Sequence, residues 1–104
     1  MNASDHKNLG SSHVVITGEM TIYTAREWRD ELLAALAAPG DVELDLSGVS
    51  DIDAAGIQLL VSLRLEAADG DRGFRVRAAS KRVLEAFEFC RLLRFFELEP
   101  AAQA

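Results

Sequence analysis

Apolar positions along the chain switch between two spacings, and the switch divides the sequence into alternating strands and helices. His13-Val14-Val15-Ile16-Thr17-Gly18 is a β-branched run closed by glycine, with Met20-Thr21-Ile22-Tyr23 close behind; together they predict two adjoining extended segments. Thr24 then opens a helix. Glu27 lies at capping-box spacing from it, so each side chain is expected to satisfy the other residue's free amide. Trp28, Leu32 and Leu36, with Leu33 and Ala35 beside them, form the stripe of a helix lying on a sheet, and Pro39-Gly40 stops it.

Val42, Leu44 and Leu46 alternate with Glu43 and Asp45, which predicts a strand with one buried face. Ser47 to Ile52 reads as a polar turn. A helix is expected from Ala54 to Asp69, with Asp53 as N-cap and Gly70 as the C-terminal stop. Ile57, Leu60, Val61 and Arg64 share one of its faces and Leu59, Leu63 and Glu66 the next. The apolar arc is therefore wider than a core contact needs, and part of it is expected to meet a partner. Phe74, Val76 and Ala78 mark a further strand, and Ser80 caps a third helix carrying Val83, Leu84 and Phe87. Leu92 to Leu98 is expected to hold a helix end, a turn and a short last strand. The pattern predicts an α/β fold, a mixed, mostly parallel β-sheet covered by α-helices. Residues 1–12 read as a flexible tail, 13–100 as one domain, and 101–104 as a frayed end.

Composition narrows the function more than the fold. At 104 residues the chain suits one domain, and a domain of this size buries only about two-thirds of its unfolded surface, which disfavours a large internal substrate cavity. A net charge of −6 argues against nucleic acid as the main partner, because phosphate binding needs a concentrated basic face. Most of the eleven Lys and Arg are interleaved with acids, as in Arg26-Glu27-Trp28-Arg29-Asp30. No apolar run reaches the roughly 20 residues that span a bilayer, and residues 1–12 lack the apolar stretch of a secretion signal. Cys90 is single, excludes an internal disulfide, and is expected to pack as a small hydrophobe in a cytoplasmic protein.

Catalytic chemistry finds little support. Asp51 and Asp53 form a D-x-D after a strand, as in Mg²⁺-dependent phosphotransferases, but no hydroxyl follows the second Asp and no Lys follows the motif until Lys81. Turn formation by Asp51 and helix capping by Asp53 account for both residues. His6 and His13 have no ligand-spaced companions, so no metal is expected. Gly40, Gly48, Gly56, Gly70 and Gly73 form no phosphate-binding loop, and Trp28 and the phenylalanines lie at core spacings rather than among basic residues. Neither an enzyme nor a cofactor is expected.

Asp45-Leu46-Ser47-Gly48-Val49-Ser50-Asp51-Ile52-Asp53-Ala54-Ala55-Gly56-Ile57 resembles the signature of the STAS domain, the fold of bacterial anti-sigma factor antagonists. In that family a strand ending in D-[LF]-S leads through a short loop to D-[ST]-[ST/A]-G-[LI] at the start of a long helix. The resemblance runs from about Val14 to Leu98 and includes the Gly73 to Ala79 strand with Ser80-Lys81-Arg82-Val83-Leu84-Glu85 after it. Gly56-Ile57-Gln58-Leu59-Leu60 is most similar to stand-alone members of bacterial sensory and chemotaxis systems.

The resemblance implies a non-enzymatic module of signal transduction and transcription regulation, docking on a histidine-kinase-like serine kinase or anti-sigma factor. The implied contact residues are Ser47, Ser50, Asp51, Asp53, Ala54, Ala55, Gly56, Ile57 and Gln58. In the family the hydroxyl residue after the motif Asp is phosphorylated, which places nearly two negative charges in the docking surface and releases the partner. Ala54 occupies that position here and Ala55 the next, so neither accepts phosphate. Three explanations stay open: a naturally unswitched protein, a switch at Ser47 or Ser50, or an Ala54 that replaces a native Ser or Thr. Two alternatives accompany this reading: the small STAS subunit of a lipid-transport ABC system, bound to its ATPase, and, more remotely, the phosphotransferase. The apolar arc also allows a homodimer.

Overall fold

The computed structural model describes residues 11–100. Three strands and three helices alternate: β1 (Ser11–Met20), α1 (Ala25–Ala37), β2 (Asp41–Ile52), α2 (Ala54–Asp69), β3 (Phe74–Ala79) and α3 (Lys81–Phe89). The sheet order is β1-β2-β3 and both pairings are parallel, so each connection crosses over through a helix. Val14, Ile16 and Met20, Val42, Leu44 and Leu46, and Phe74 and Val76 point into a single core. Leu32 and Leu36 of α1, Leu60 and Leu63 of α2, and Val83 and Phe87 of α3 close it from above. On the other side of the sheet His13, Val15, Arg75 and Arg77 are exposed. The expected α/β architecture is present.

Several local expectations are corrected. Met20 ends β1, and no second strand follows, so among the described residues the sheet is wholly parallel rather than mixed. Residues 21–24 form a tight turn in which the amides of Thr24 and Ala25 both donate to the Thr21 carbonyl, at 3.0 and 2.8 Å. This turn uses the Thr24 hydroxyl differently from a capping box. Its Oγ1 donates to the Glu19 carbonyl at 2.8 Å and accepts from the Thr21 amide at 3.0 Å, so it faces the strand end and makes no side-chain cap to α1.

Residues 47–52 are not a turn but the second half of β2. The burial of β2 explains the misreading: inward residues are Val42, Leu44 and Leu46 at a spacing of two, then Val49 and Ile52 at a spacing of three. Val15 pairs with Asp45 but Thr17 with Gly48, and Gly18 pairs with Val49 but Glu19 with Asp51. At each shift β2 holds one residue more than β1, a bulge that resets which side chains face inward.

Leu92–Leu98 forms turns rather than a strand, and packs Phe96 against Phe87 with ring centroids 4.5 Å apart. Gly70 is the C-cap of α2, as expected, with φ −91; the left-handed position after it belongs to Asp71, with φ 58. The Arg72 amide then bonds the Ala67 carbonyl at 2.7 Å and the Asp71 amide the Ala68 carbonyl at 3.0 Å, the two bonds of a Schellman motif. Arg91, with φ 60, repeats the arrangement after α3. Cys90 is exposed at that helix end, not packed in the core. The tail and frayed-end expectations for residues 1–10 and 101–104 lie outside the described residues; β1 itself begins at Ser11.

Candidate protein-docking site

The three aspartates of the motif each organise backbone. Asp45 accepts from the Ser47 hydroxyl at 2.6 Å and from the Ser47 amide at 2.9 Å, which folds the chain at the first bulge of β2. The same two bonds, the hydroxyl first, hold its carboxyl below the ordinary range. Past the bulge, Ser47, Gly48, Ser50 and Asp51 are exposed while Val49 and Ile52 remain inside. Asp51 accepts from the Ile52 amide at 2.9 Å and faces Arg82 of α3 at 3.3 Å.

Asp53 is the N-cap of α2, as the sequence predicts. Oδ1 accepts from the amides of Ala55 and Gly56, at 2.9 and 3.2 Å, satisfying two of the free donors of the first turn. Oδ2 reaches a different segment and accepts from the Ile22 amide at 3.0 Å. One carboxylate therefore ties the start of α2 to the turn after β1. The Ile22 bond is the main cause that keeps the carboxyl below the ordinary range; partial desolvation opposes it, and the Gly56 and Ala55 amides add to the lowering.

Gly56 explains itself by contact. A Cβ there would collide with the Met20 carbonyl oxygen, which already accepts from the Asp53 amide at 3.2 Å. Glycine lets the first turn of α2 lie directly on the end of β1. It is buried, so its part in the motif is packing. Ala54 is exposed on the outer side of that turn, Ala55 and Ile57 are half-buried, and Gln58 is exposed.

These residues form one wall of an open groove of about 640 Å³ between α2 and α3. Ile52, Asp53, Ala54, Ile57 and Gln58 line it from one side, and Arg82, Glu85, Ala86, Phe89 and Cys90 from the other. Of the expected contact residues, Asp53, Ala54, Ile57 and Gln58 are brought together there. Asp51 joins through Arg82, whereas Ser47 and Ser50 stand back along β2 and are not among the lining residues. Ala55 turns toward α1, where it shares a shallower depression with Ala25 and Arg29.

Sequence reasoning missed three side chains at this end of the molecule. Phe89 is 90% exposed at the groove's lip, and Ile22 and Tyr23, at 68% and 90%, are carried by the turn that Asp53 holds. Phe89 lies one helical turn past Glu85 and Ala86, a spacing that could have separated it from the core positions Val83 and Phe87. Ile22 and Tyr23 gave no such signal, because their residue types suit a strand.

Comparison with known proteins agrees with this description. A solved structure described as the anti-sigma factor antagonist SpoIIAA in its unphosphorylated form is similar, with TM-score 0.71 at 16% identity over 91% of this chain and 83% of that one. So is a sulfate transporter family protein from Wolinella succinogenes, with TM-score 0.64 at 20% identity over 85% and 72%. At those identities the likeness is one of fold. No curated protein matches the chain. A family model described as "Mlab, STAS domain" matches residues 4–98, nearly the whole chain and all of the site just described. With the capped α2, the glycine that seats it and the parallel sheet beneath all falling within that match, the chain belongs to the STAS domain family.

Proposed function

We propose that this protein is a non-enzymatic regulatory module, anti-sigma factor antagonist-like, that docks on a partner kinase or anti-sigma factor through the end of β2 and the first turns of α2. The observation that carries this reading is the outward placement of Ala54, at the mouth of the groove and one residue past the Asp53 clamp. Ser47, Ser50 and Asp51 contribute the exposed margin of β2, and Ala55, Ile57 and Gln58 the flank of the helix. The two acidic side chains are taken up structurally: Asp53 holds three amides and Asp51 faces Arg82. That use supports capping over phosphotransfer. Cytoplasmic location belongs to the same reading; among the described residues no helix is long and apolar enough to cross a membrane.

With alanine at 54 and 55, phosphate cannot be added at the first turn, so the surface stays docking-competent unless Ser47 or Ser50 is modified. This observation also favours a second reading, a small STAS subunit held permanently on the ATPase of a lipid-transport ABC system.

The test is a titration calorimetry comparison of the natural protein with Ala54→Glu. A carboxylate there meets the apolar mouth of the groove and is expected to weaken partner binding about tenfold or more, with the melting temperature unchanged. Equal affinity removes this surface from the account. Whether the captured partner is a histidine-kinase-like ATPase or an ABC ATPase separates the two readings.

A further inference from the structure

We infer that Leu92–Leu98 is a strap clasped by Arg64 of α2, a unit that opens on its own and releases the end of α3 while the Asp53 end of α2 stays folded. The inference rests on contacts within the chain and is independent of the docking reading.

The strap belongs to no helix or strand, and among the described residues no strand ladder ties it to the sheet. Two left-handed residues bound it, Arg91 with φ 60 and Glu97 with φ 58. Neither is glycine, so each turn carries backbone strain that the closed arrangement has to offset. The Leu92 amide donates to the Phe87 carbonyl at 2.7 Å and the Leu98 amide to the Leu93 carbonyl at 2.8 Å. Those bonds tie the strap to α3 and to itself. Among residues 90–100 only Phe96 is buried, stacked on Phe87 and meeting Phe95 edge-on at 4.9 Å.

Arg64 joins this unit to the rest of the fold. Nη1 donates to the Phe74 carbonyl at 2.7 Å, where β3 begins, and Nη2 donates to Glu97 at 3.2 Å. The guanidinium carbon lies 5.4 Å from the centre of the Phe95 ring. One planar cation therefore touches β3 and the strap from a position on α2. The ion pair contributes little by itself, because the Glu97 side chain is 75% exposed. The fixed fork on the Phe74 carbonyl and the flat face on Phe95 make the clasp, and a lysine reproduces neither.

Opening has a directed consequence. It uncovers Phe87 and breaks the Leu92 bond at the last turn of α3, beside Phe89 and Cys90 on the far wall of the groove. The near wall is held by Asp53, eleven residues before Arg64 and about 16 Å away along the helix axis. None of the Asp53 bonds involves the strap. One wall is thus fixed and the other adjustable.

Amide hydrogen exchange across a series of low denaturant concentrations tests this. In the natural protein the amides of Leu92, Phe96 and Leu98 are expected to share one opening, at least about tenfold more populated than that of Val42 in β2 and nearly independent of denaturant. Arg64→Met keeps the stem and removes the donors; it is expected to speed those three amides at least about tenfold and those of Ala55 and Gly56, under the Asp53 cap, less than about twofold. Glu97→Gln should change the strap amides less than about threefold. Three results overturn the inference: strap amides that exchange with Val42 at its full denaturant dependence, strap amides that open separately from one another, or no acceleration in Arg64→Met. The natural protein alone decides the first two, whether or not the variant folds.

Discussion

The two ends of the parallel sheet are finished in opposite ways. Where the strands begin, the chain closes on itself. The Arg72 guanidinium donates through Nε, Nη1 and Nη2 to the carbonyls of Gly40, Leu36 and Ala38, the free acceptors left where α1 ends. Asp41 accepts from the Gly73 amide at 3.0 Å, and the Val42 amide bonds the Gly73 carbonyl at 2.9 Å. Polar groups there are matched within the chain. Where the strands end, Asp53 matches the amides but leaves Ile22, Tyr23, Ala54 and Phe89 facing outward. Three of the five exposed large apolar side chains among the described residues gather at this end, beside a rigidly capped helix, a feature of contact surfaces more than of stability. Backbone satisfaction and apolar coverage are separate requirements, and only the first is complete at the strand ends.

The sharpest way to break this contrast is at Gly56. In an unconstrained helix Gly→Ala stabilises by about 1 kcal/mol. Here the added Cβ meets the Met20 carbonyl, so we expect Gly56→Ala to destabilise by about 3 kcal/mol, overpacking outweighing propensity. Chemical denaturation measures it; a stabilised variant would show that the start of α2 does not rest on β1 as described.

Arg72→Ala tests the closed end. Three carbonyls lose a cationic donor, and the half-buried site suggests a loss of about 2 kcal/mol in the same assay. Partner binding should be unchanged, since no part of the docking surface lies there. A variant that melts normally but fails to bind would reverse the roles assigned to the two ends.

The smallest effect is expected at Asp53, where the cap can be titrated as well as removed. Asp53→Ala should destabilise by about 1 kcal/mol at neutral pH, a typical N-cap loss. The carboxyl is held below its ordinary value in the fold, so its contribution is complete above the ordinary carboxylate range and is lost as pH falls through the lowered folded value. The stability gap between the natural protein and Asp53→Ala should therefore narrow on acidification. A gap independent of pH would mean that the Ile22 and α2 amides do not depend on the charge.

Much of the fold and of the site was legible because both follow from local chemistry. Alternation through Leu46, the cap at Asp53, the span of α2 from Ala54 to Asp69 and the cap at Ser80 each depend on residues within a turn or two of one another. These same features located Ala54 at an exposed helix start. The misreadings share a different cause. At Thr24 the hydroxyl chose the Glu19 carbonyl over its own helix, a choice made by where β1 ends. In β2 two bulges moved the inward face after Leu46, a shift that exists only in the pairing with β1.

By itself the sequence determined which segments alternate, where α2 begins, and that no hydroxyl follows the motif Asp. Tertiary structure alone decided that β2 runs on to Ile52, that Asp53 holds the Ile22 turn, and that Phe89 stands across a groove from Ala54. Periodicity within an element specifies which face turns inward, because backbone geometry repeats locally. Bulges, and the surfaces two neighbouring helices leave uncovered, depend on how separate elements are set against one another, and residues far apart in the chain settle that only once the core has packed.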